Sequence, residues 1–280
     1  VMTLASGEEP RATKLPELSV LDGGDLLATW EREAETTDIF ARRVDAGGDP
    51  VGEAFRVNDT EREEQKRPAA TALDDGGFAV AWRDSAQIDD DSFGSIRMKV
   101  FDENESTTGS EHLVNVTTEA GQRRPDLATL SNGNIVVTWD DKNRTGDTEE
   151  SFDIKGRLFA PDGEPLTGEF QLNTTFEGKQ MQSSIATLPD SKFAVTWRTR
   201  FQEGDDRSGT QLTQAQLFES DGSPIGEEIT VRPSVEDGVF APEIAANADG
   251  ELLSVMTDRA ETGADMDFEA VRARVLDAIT

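Results

Sequence analysis

Apolar and polar residues alternate in short runs along the whole chain, and the runs recur. The strings DLLATW, GFAVAW, NIVVTW and KFAVTW end at Trp30, Trp82, Trp139 and Trp197, and ELLSVM ends at Met256, so one register returns after 52, 57, 58 and 59 residues. A period of this length marks a repeat architecture, in which each unit buries its apolar face only against its neighbours. Ahead of each run stands a shorter β-prone one, opened by Pro16, Pro68, Pro125, Ser183 or Pro242. The two are separated by Asp22-Gly23-Gly24, Asp75-Gly76-Gly77, Asn132-Gly133, Pro189-Asp190 or Asp249-Gly250. Glycine, Asn and Asp tolerate the positive φ of tight turns, so each pair of runs predicts a β-hairpin.

A third run, DIFARRV, SIRMKVF, DIKGRLF, LTQAQLF or AVRARVL, alternates with period two and reads as a strand with one buried face. A fourth and shorter one follows: AFRVN, HLVN, FQLN or EITV. Each repeat is therefore a four-stranded antiparallel meander, with strands A to D. The predicted fold is all-β, a closed five-bladed β-propeller forming a single domain over 1–280, with blades at about 16–58, 68–115, 125–173, 183–231 and 242–277. The last repeat stops after strand C, whereas VMTL at the start matches a D strand. Residues 1–4 are thus expected to complete the last blade and close the ring, which removes unpaired sheet edges.

Charge and composition narrow the chemistry. With 57 Asp and Glu against 27 Lys and Arg, the net charge is −30, which argues against a grip on nucleic-acid phosphates or anionic lipid. Mean hydropathy is −0.55, and no apolar run approaches the ~18 residues of a membrane-spanning helix. A start at Val1-Met2 without a basic and apolar leader suggests a mature or excised domain. Absence of cysteine excludes disulfides and thiolate chemistry. Tyrosine is also absent and His112 is the single histidine, so Ser-His-Asp catalysis and His-clustered metals can scarcely be assembled. Carboxylates remain as the plentiful catalytic groups.

Site residues are sought on the face carrying the long, dissimilar B–C loops, at about 31–37, 83–94, 140–152, 198–210 and 257–268. These loops are acidic. Asp84, Asp89, Asp90 and Asp91 in the second repeat, and Asp140, Asp141 and Asp147 in the third, are the candidate ligands for Ca²⁺, a hard cation that takes six to eight oxygens. The alternative is a solvated charge run. Lys14, Lys66, Arg67, Arg123 and Arg124 stand just before strand A in three repeats, with Gln182 and Phe240 at corresponding places in the other two. They suggest a cationic mouth with an apolar side, suited to a sugar carboxylate; the alternative is pairing with neighbouring acids. The tryptophans, in a fixed register after alternating apolar residues, read as inter-blade core. Phe93, Phe152, Phe201 and Phe268 are either ligand platforms or loop anchors, and His112 reads as a surface residue.

The repeat string combines Gln65 with Pro68 and Gln122 with Pro125, an Asp-Gly turn, a VVTW-like strand and a D-G-x-P-x-G-E hairpin. It resembles β-propeller repeats in large secreted, surface or adhesin-like bacterial proteins of the RTX type. The resemblance implies an extracellular or cell-surface setting and a binding or adhesion role, and it implies no catalytic residue. The main functional expectation is a non-enzymatic module recognising a glycan or protein partner. The alternatives are a structural scaffold and a carboxylate-dependent glycoside hydrolase. For the hydrolase, Glu17, Asp126 and Glu243 are the strand-A carboxylates to test, since such enzymes need two carboxylates about 5–10 Å apart.

Overall fold

The computed structural model describes residues 13–60, 63–85, 94–118, 121–142, 151–201, 210–236, 240–259 and 269–276, with backbone alone for 234–236, 240, 241, 258, 259, 269 and 270. The described residues form five antiparallel sheets, one per repeat. The first holds β1 (Thr13–Val20), β2 (Leu26–Glu33), β3 (Thr37–Val44) and β4 (Pro50–Arg56). In the second are β5 (Gln65–Ala72), β6 (Phe78–Asp84), β7 (Ser95–Phe101) and β8 (His112–Leu113). Then come β9 (Gln122–Thr129), β10 (Ile135–Asp141), β11 (Asp153–Phe159) and β12 (Phe170–Gln171) in the third. The fourth holds β13 (Lys179–Thr187), β14 (Phe193–Arg200), β15 (Thr210–Phe218) and β16 (Pro224–Glu236), and the fifth β17 (Phe240–Ala246), β18 (Leu252–Arg259) and β19 (Glu269–Leu276). Strand order within every sheet is sequential, as in a meander, and the architecture is consistent with a propeller. Residues 1–4, the expected fourth strand of the last repeat, lie outside the described residues.

Two compact units emerge: Val1–Thr129 with Gly133–Val137 and Leu158–Gly168, and Leu130–Asn132 with Thr138–Arg157 and Glu169–Thr280. Inside the first unit, Leu27, Ile39 and Ala41 of the first sheet pack on Phe78, Val80 and Trp82 of the second. Phe78 and Phe101 stack there with ring centroids 5.0 Å apart. The second unit repeats the arrangement, with Ala194, Ala215 and Leu217 of the fourth sheet against Ile244, Leu252 and Met256 of the fifth. All four tryptophans are buried, in keeping with a core role.

Strand A begins two to four residues ahead of the proline or serine that marks it in the sequence. The reason is a β-bulge, recorded between Lys14 and Glu17, Lys66 and Ala69, Met181 and Ser184, and Phe240 and Glu243. A left-handed residue occupies one register of four strands: Leu15 at φ 48°, Arg67 at 56°, Arg124 at 53° and Gln182 at 59°. The bulge accommodates the following residue, usually proline, which has no N–H to give to the ladder, and pairing resumes on its far side.

Strand D is tied down by asparagine. Asn58, Asn115 and Asn173 accept the backbone N–H of Ile39, Ile96 and Ile154 at 2.8, 2.7 and 2.7 Å, each 19 residues back. Their amide groups donate to the carbonyls of Thr60, Thr117 and Thr175. A buried amide N–H that strand pairing does not reach is satisfied in this way. Acids then fasten the segment beyond. Glu111 accepts from the N–H of Asp59 and Thr60, and Glu228 from the N–H of Thr174 and Thr175.

Two apolar faces are bare. In the first unit Leu18 is 65% exposed, whereas Leu127, Ile185 and Ile244 at the same register are 5, 9 and 8% exposed. In the second unit Val271 and Val275 are 73 and 60% exposed, while Ile39 and Ile96 at the first register are 0%, and Val100 and Leu217 at the second are 3%.

Candidate functional site

Three registers carry the polar chemistry. The first is the bulge on strand A. Lys14 is exposed and ion-paired with Glu33, whose hydrogen bond and charge raise the lysine pKa. Lys66 pairs with Glu64 at 2.5 Å. The Arg67 backbone N–H donates to Glu31 Oε1 at 2.8 Å, and that of Gln182 to Asp140 Oδ1 at 2.8 Å. Arg123 and Arg124 follow the buried Gln122 at the start of β9, and both are half-buried. Phe240 lies in β17 with its backbone paired to Thr257. Within the first unit Lys66, Arg67, Arg123 and Arg124 stand at the starts of β5 and β9.

The second register lies two residues after the tryptophan on strand B and connects across the sheet. Asp84 is fully buried; its Oδ1 accepts from Gln65 Nε2 at 2.8 Å and its Oδ2 from Arg97 Nε at 2.6 Å. Arg97 also lies 3.6 Å from Glu111, and Gln65 accepts the Trp82 indole N–H at 2.8 Å. The third sheet builds the same ladder from Asp141, Lys155 and Glu169, with Lys155 Nζ 2.8 and 3.2 Å from the two acids. Burial is the strongest single influence on Lys155 and pulls its pKa down, yet Asp141 and Glu169 together raise it. In the fourth sheet the rungs are neutral up to the last: Thr199 Oγ1 donates to Gln214 Oε1 at 2.5 Å, and Gln214 Nε2 donates to Glu228 at 2.6 Å.

The proposed calcium ligands divide accordingly. Asp84, Asp140 and Asp141 are buried strand residues engaged by protein donors. Asp89, Asp90, Asp91 and Asp147 lie outside the described residues, as do Phe93 and Phe268. Among the described residues, no three acidic or histidine side chains converge as metal ligands would. Phe152 and Phe201 are buried, as loop anchors would be. His112 is half-buried, with its imidazole lying over Gly163.

The third register, one residue after the strand-A proline or its serine counterpart, holds Glu17, Ala69, Asp126, Ser184 and Glu243. Glu17 and Glu243 are exposed, and Asp126 is half-buried. Ser184 Oγ donates to Glu243 Oε2 at 3.0 Å, so within the second unit this register meets from one strand A to the next. The sequence does not announce the asparagine and glutamine contacts. Their only signal is recurrence, in Q-x-x-P and in the closing asparagine of FRVN, HLVN and FQLN.

The chain matches no protein-family model and no curated protein. Solved structures do resemble it. A protein of unknown function from Dyadobacter fermentans superposes with a TM-score of 0.65 at 11% identity, over 96% of this chain and 80% of that one. The α-L-arabinanase of Penicillium chrysogenum, complexed with arabinobiose, gives 0.59 at 17%, over 88% and 77%. The GH93 α-L-arabinofuranosidase of Fusarium graminearum, also with arabinobiose, gives 0.58 at 14%, over 91% and 79%. At these identities the likeness is one of fold. It nevertheless overturns the expectation of a non-enzymatic binding or adhesion module, because the two neighbours of named function given above are an α-L-arabinanase and an α-L-arabinofuranosidase.

Proposed function

We propose that this chain is a carboxylate-dependent glycoside hydrolase acting on a furanosidic or related glycan, with its acid and base drawn from Glu17, Asp126 and Glu243. The observation that carries the proposal is the presence of three carboxylates at one register of strand A, in a fold shared with an α-L-arabinanase and an α-L-arabinofuranosidase. In such chemistry one carboxylic acid protonates the leaving oxygen, while the other carboxylate activates water or attacks the anomeric carbon. A chain with one histidine and no tyrosine or cysteine has few other groups for the task. The test is hydrolysis of α-1,5-arabino-oligosaccharides and aryl α-L-arabinofuranosides. Glu17→Gln, Asp126→Asn and Glu243→Gln are expected to identify two residues whose loss lowers kcat by ~10²–10⁴-fold with the melting temperature unchanged. No turnover by the wild type, or turnover that survives all three changes together, overturns the reading.

The closed five-bladed ring belongs to the same proposal. It rests on the fivefold repeat, whose last copy stops after strand C. Residues 1–4 would supply the last strand D. Deleting residues 1–5 should lower the melting temperature by ten degrees or more, roughly what several kcal/mol amounts to in a domain of this size; an unchanged value removes the ring closure. An extracellular setting remains a proposal resting on the secreted-repeat resemblance. Weak Ca²⁺ binding by Asp89, Asp90, Asp91 and Asp147, at ~10⁻⁴–10⁻³ M, is a proposal as well, resting on the acidity of the B–C loops. A melting temperature raised by millimolar Ca²⁺, and not by Mg²⁺ or by NaCl of equal ionic strength, would support it.

A further inference from the structure

The five strands A read Pro16-Glu17, Pro68-Ala69, Pro125-Asp126, Ser183-Ser184 and Pro242-Glu243 at one register. The fourth repeat alone places hydroxyls at both positions, and both are engaged. Ser183 shares a hydrogen bond of 3.2 Å with Thr138 of the third sheet. Ser184, only 5% exposed, donates from Oγ to Glu243 Oε2 at 3.0 Å and accepts the Ile244 N–H at 3.3 Å.

This grip has a direction. A hydroxyl has one proton to give, and with the Ile244 N–H on a lone pair of Oγ, that proton goes to Glu243. Both residues stand where pairing resumes beyond a bulge, Ser184 opposite Thr196 and Glu243 opposite Val255. The bulge of β13 is itself pinned, since Asp140 Oδ1 accepts the N–H of the left-handed Gln182 at 2.8 Å. Glu243 is exposed, and among the described residues its other oxygen, Oε1, has no partner. An exposed glutamate ordinarily samples several rotamers, and a buried hydroxyl fastened to the backbone beside it takes that freedom away. Ahead of Asp126 the same register holds Ala69, which has no hydroxyl to offer.

We propose that Ser184 is a positioning residue for Glu243, within the hydrolase reading above on which this role rests: it occupies Oε2 and leaves Oε1 as the reacting oxygen. Glu243 is then the carboxylate that supplies the electron pair, and another carboxylic acid supplies the proton. The Oε1 lone pair takes a proton from the attacking water or bonds to the anomeric carbon itself. The bond from that carbon to the leaving oxygen breaks, its electron pair stays on the oxygen, and the oxygen takes its proton from the acid.

Kinetics on α-1,5-arabino-oligosaccharides and on dinitrophenyl α-L-arabinofuranoside, together with three-bond NMR couplings of the Glu243 side chain, test the assignment. Ser184→Ala should lower kcat by about ten- to a hundred-fold with KM nearly unchanged, as a misplaced reacting group does. Ser184→Thr, which keeps the hydroxyl, should recover most of that loss. In a Glu243→Gln background Ser184→Ala should cost no further kcat, whereas a serine that only ties β13 to β17 would act alike in both backgrounds. Glu243→Gln should be slow on both substrates, because a dinitrophenolate that departs without a proton replaces only the acid. The couplings should report one rotamer in the wild type and an average in Ser184→Ala. Unchanged kcat in Ser184→Ala, an equal loss in both backgrounds, averaged couplings in the wild type, or a Glu243→Gln variant slow on the oligosaccharides alone overturns the proposal and keeps the hydrolase. A wild type that turns over neither substrate overturns the hydrolase and this role together, so the two failures are told apart by the wild type.

Discussion

The second and fourth sheets solve one packing problem in two chemistries. Where strand B passes its tryptophan, the second sheet spans strands B, C and D with Asp84, Arg97 and Glu111, and the fourth with Thr199, Gln214 and Glu228. Both sets close their hydrogen bonds, and both leave a glutamate to catch the segment following the previous strand D. The contrast shows that geometry is what this register demands and that charge is one way of meeting it. Buried ion pairs contribute little net stability over a neutral set, yet a broken one is expensive.

That asymmetry can be tested. Arg97→Met should destabilise the protein by about 3–5 kcal/mol in denaturant unfolding at neutral pH, because it leaves the buried Asp84 carboxylate without its cation. Gln214→Met breaks the neutral ladder and should cost about 1–2 kcal/mol, with little pH dependence. Transplanting the fourth sheet's chemistry into the second, as Asp84→Thr with Arg97→Gln, should cost less than Arg97→Met alone. A double variant as unstable as that single one would show that charge is required there.

A smaller effect distinguishes the second ladder from the third. The Lys155 pKa is raised in the folded state, so its contribution is complete below the unfolded lysine value of about 10.4 and is lost as pH rises through the higher folded value. Wild type should lose its advantage over Lys155→Met across that alkaline window. No such loss is expected in the second ladder, which contains no lysine. Parallel alkaline melting curves for the two ladders would contradict this assignment.

The repeat, the strand order and the buried tryptophans were legible because each is written several times in one register. Asp84 and Asp141 were not, since a run of acids reads as a solvated loop unless one knows where the strand ends. In the structure β6 and β10 continue through these residues, and the cations that neutralise them lie on strand C, more than ten residues away. The bulge was equally hidden. It requires a left-handed residue, and leucine, arginine or glutamine there gives no sign of one, unlike the glycines of the hairpins. For the strand-A acids, sequence supplied a shared register, but it carries no measure of separation, and separation decides whether two carboxylates can act on one bond.

The Glu111 and Glu228 contacts bear on how the molecule opens. The amide hydrogens of Asp59 and Thr60 belong by sequence to the first repeat, yet the acceptor that shields them belongs to the second, and Thr174 and Thr175 stand in the same relation to the fourth. Their exchange with solvent deuterium would therefore be gated by the neighbour's opening rather than by their own strand's. The first and third repeats each carry in their tail a clock that keeps their successor's time, and protection lost there would be an early sign that the adjoining sheet has begun to yield.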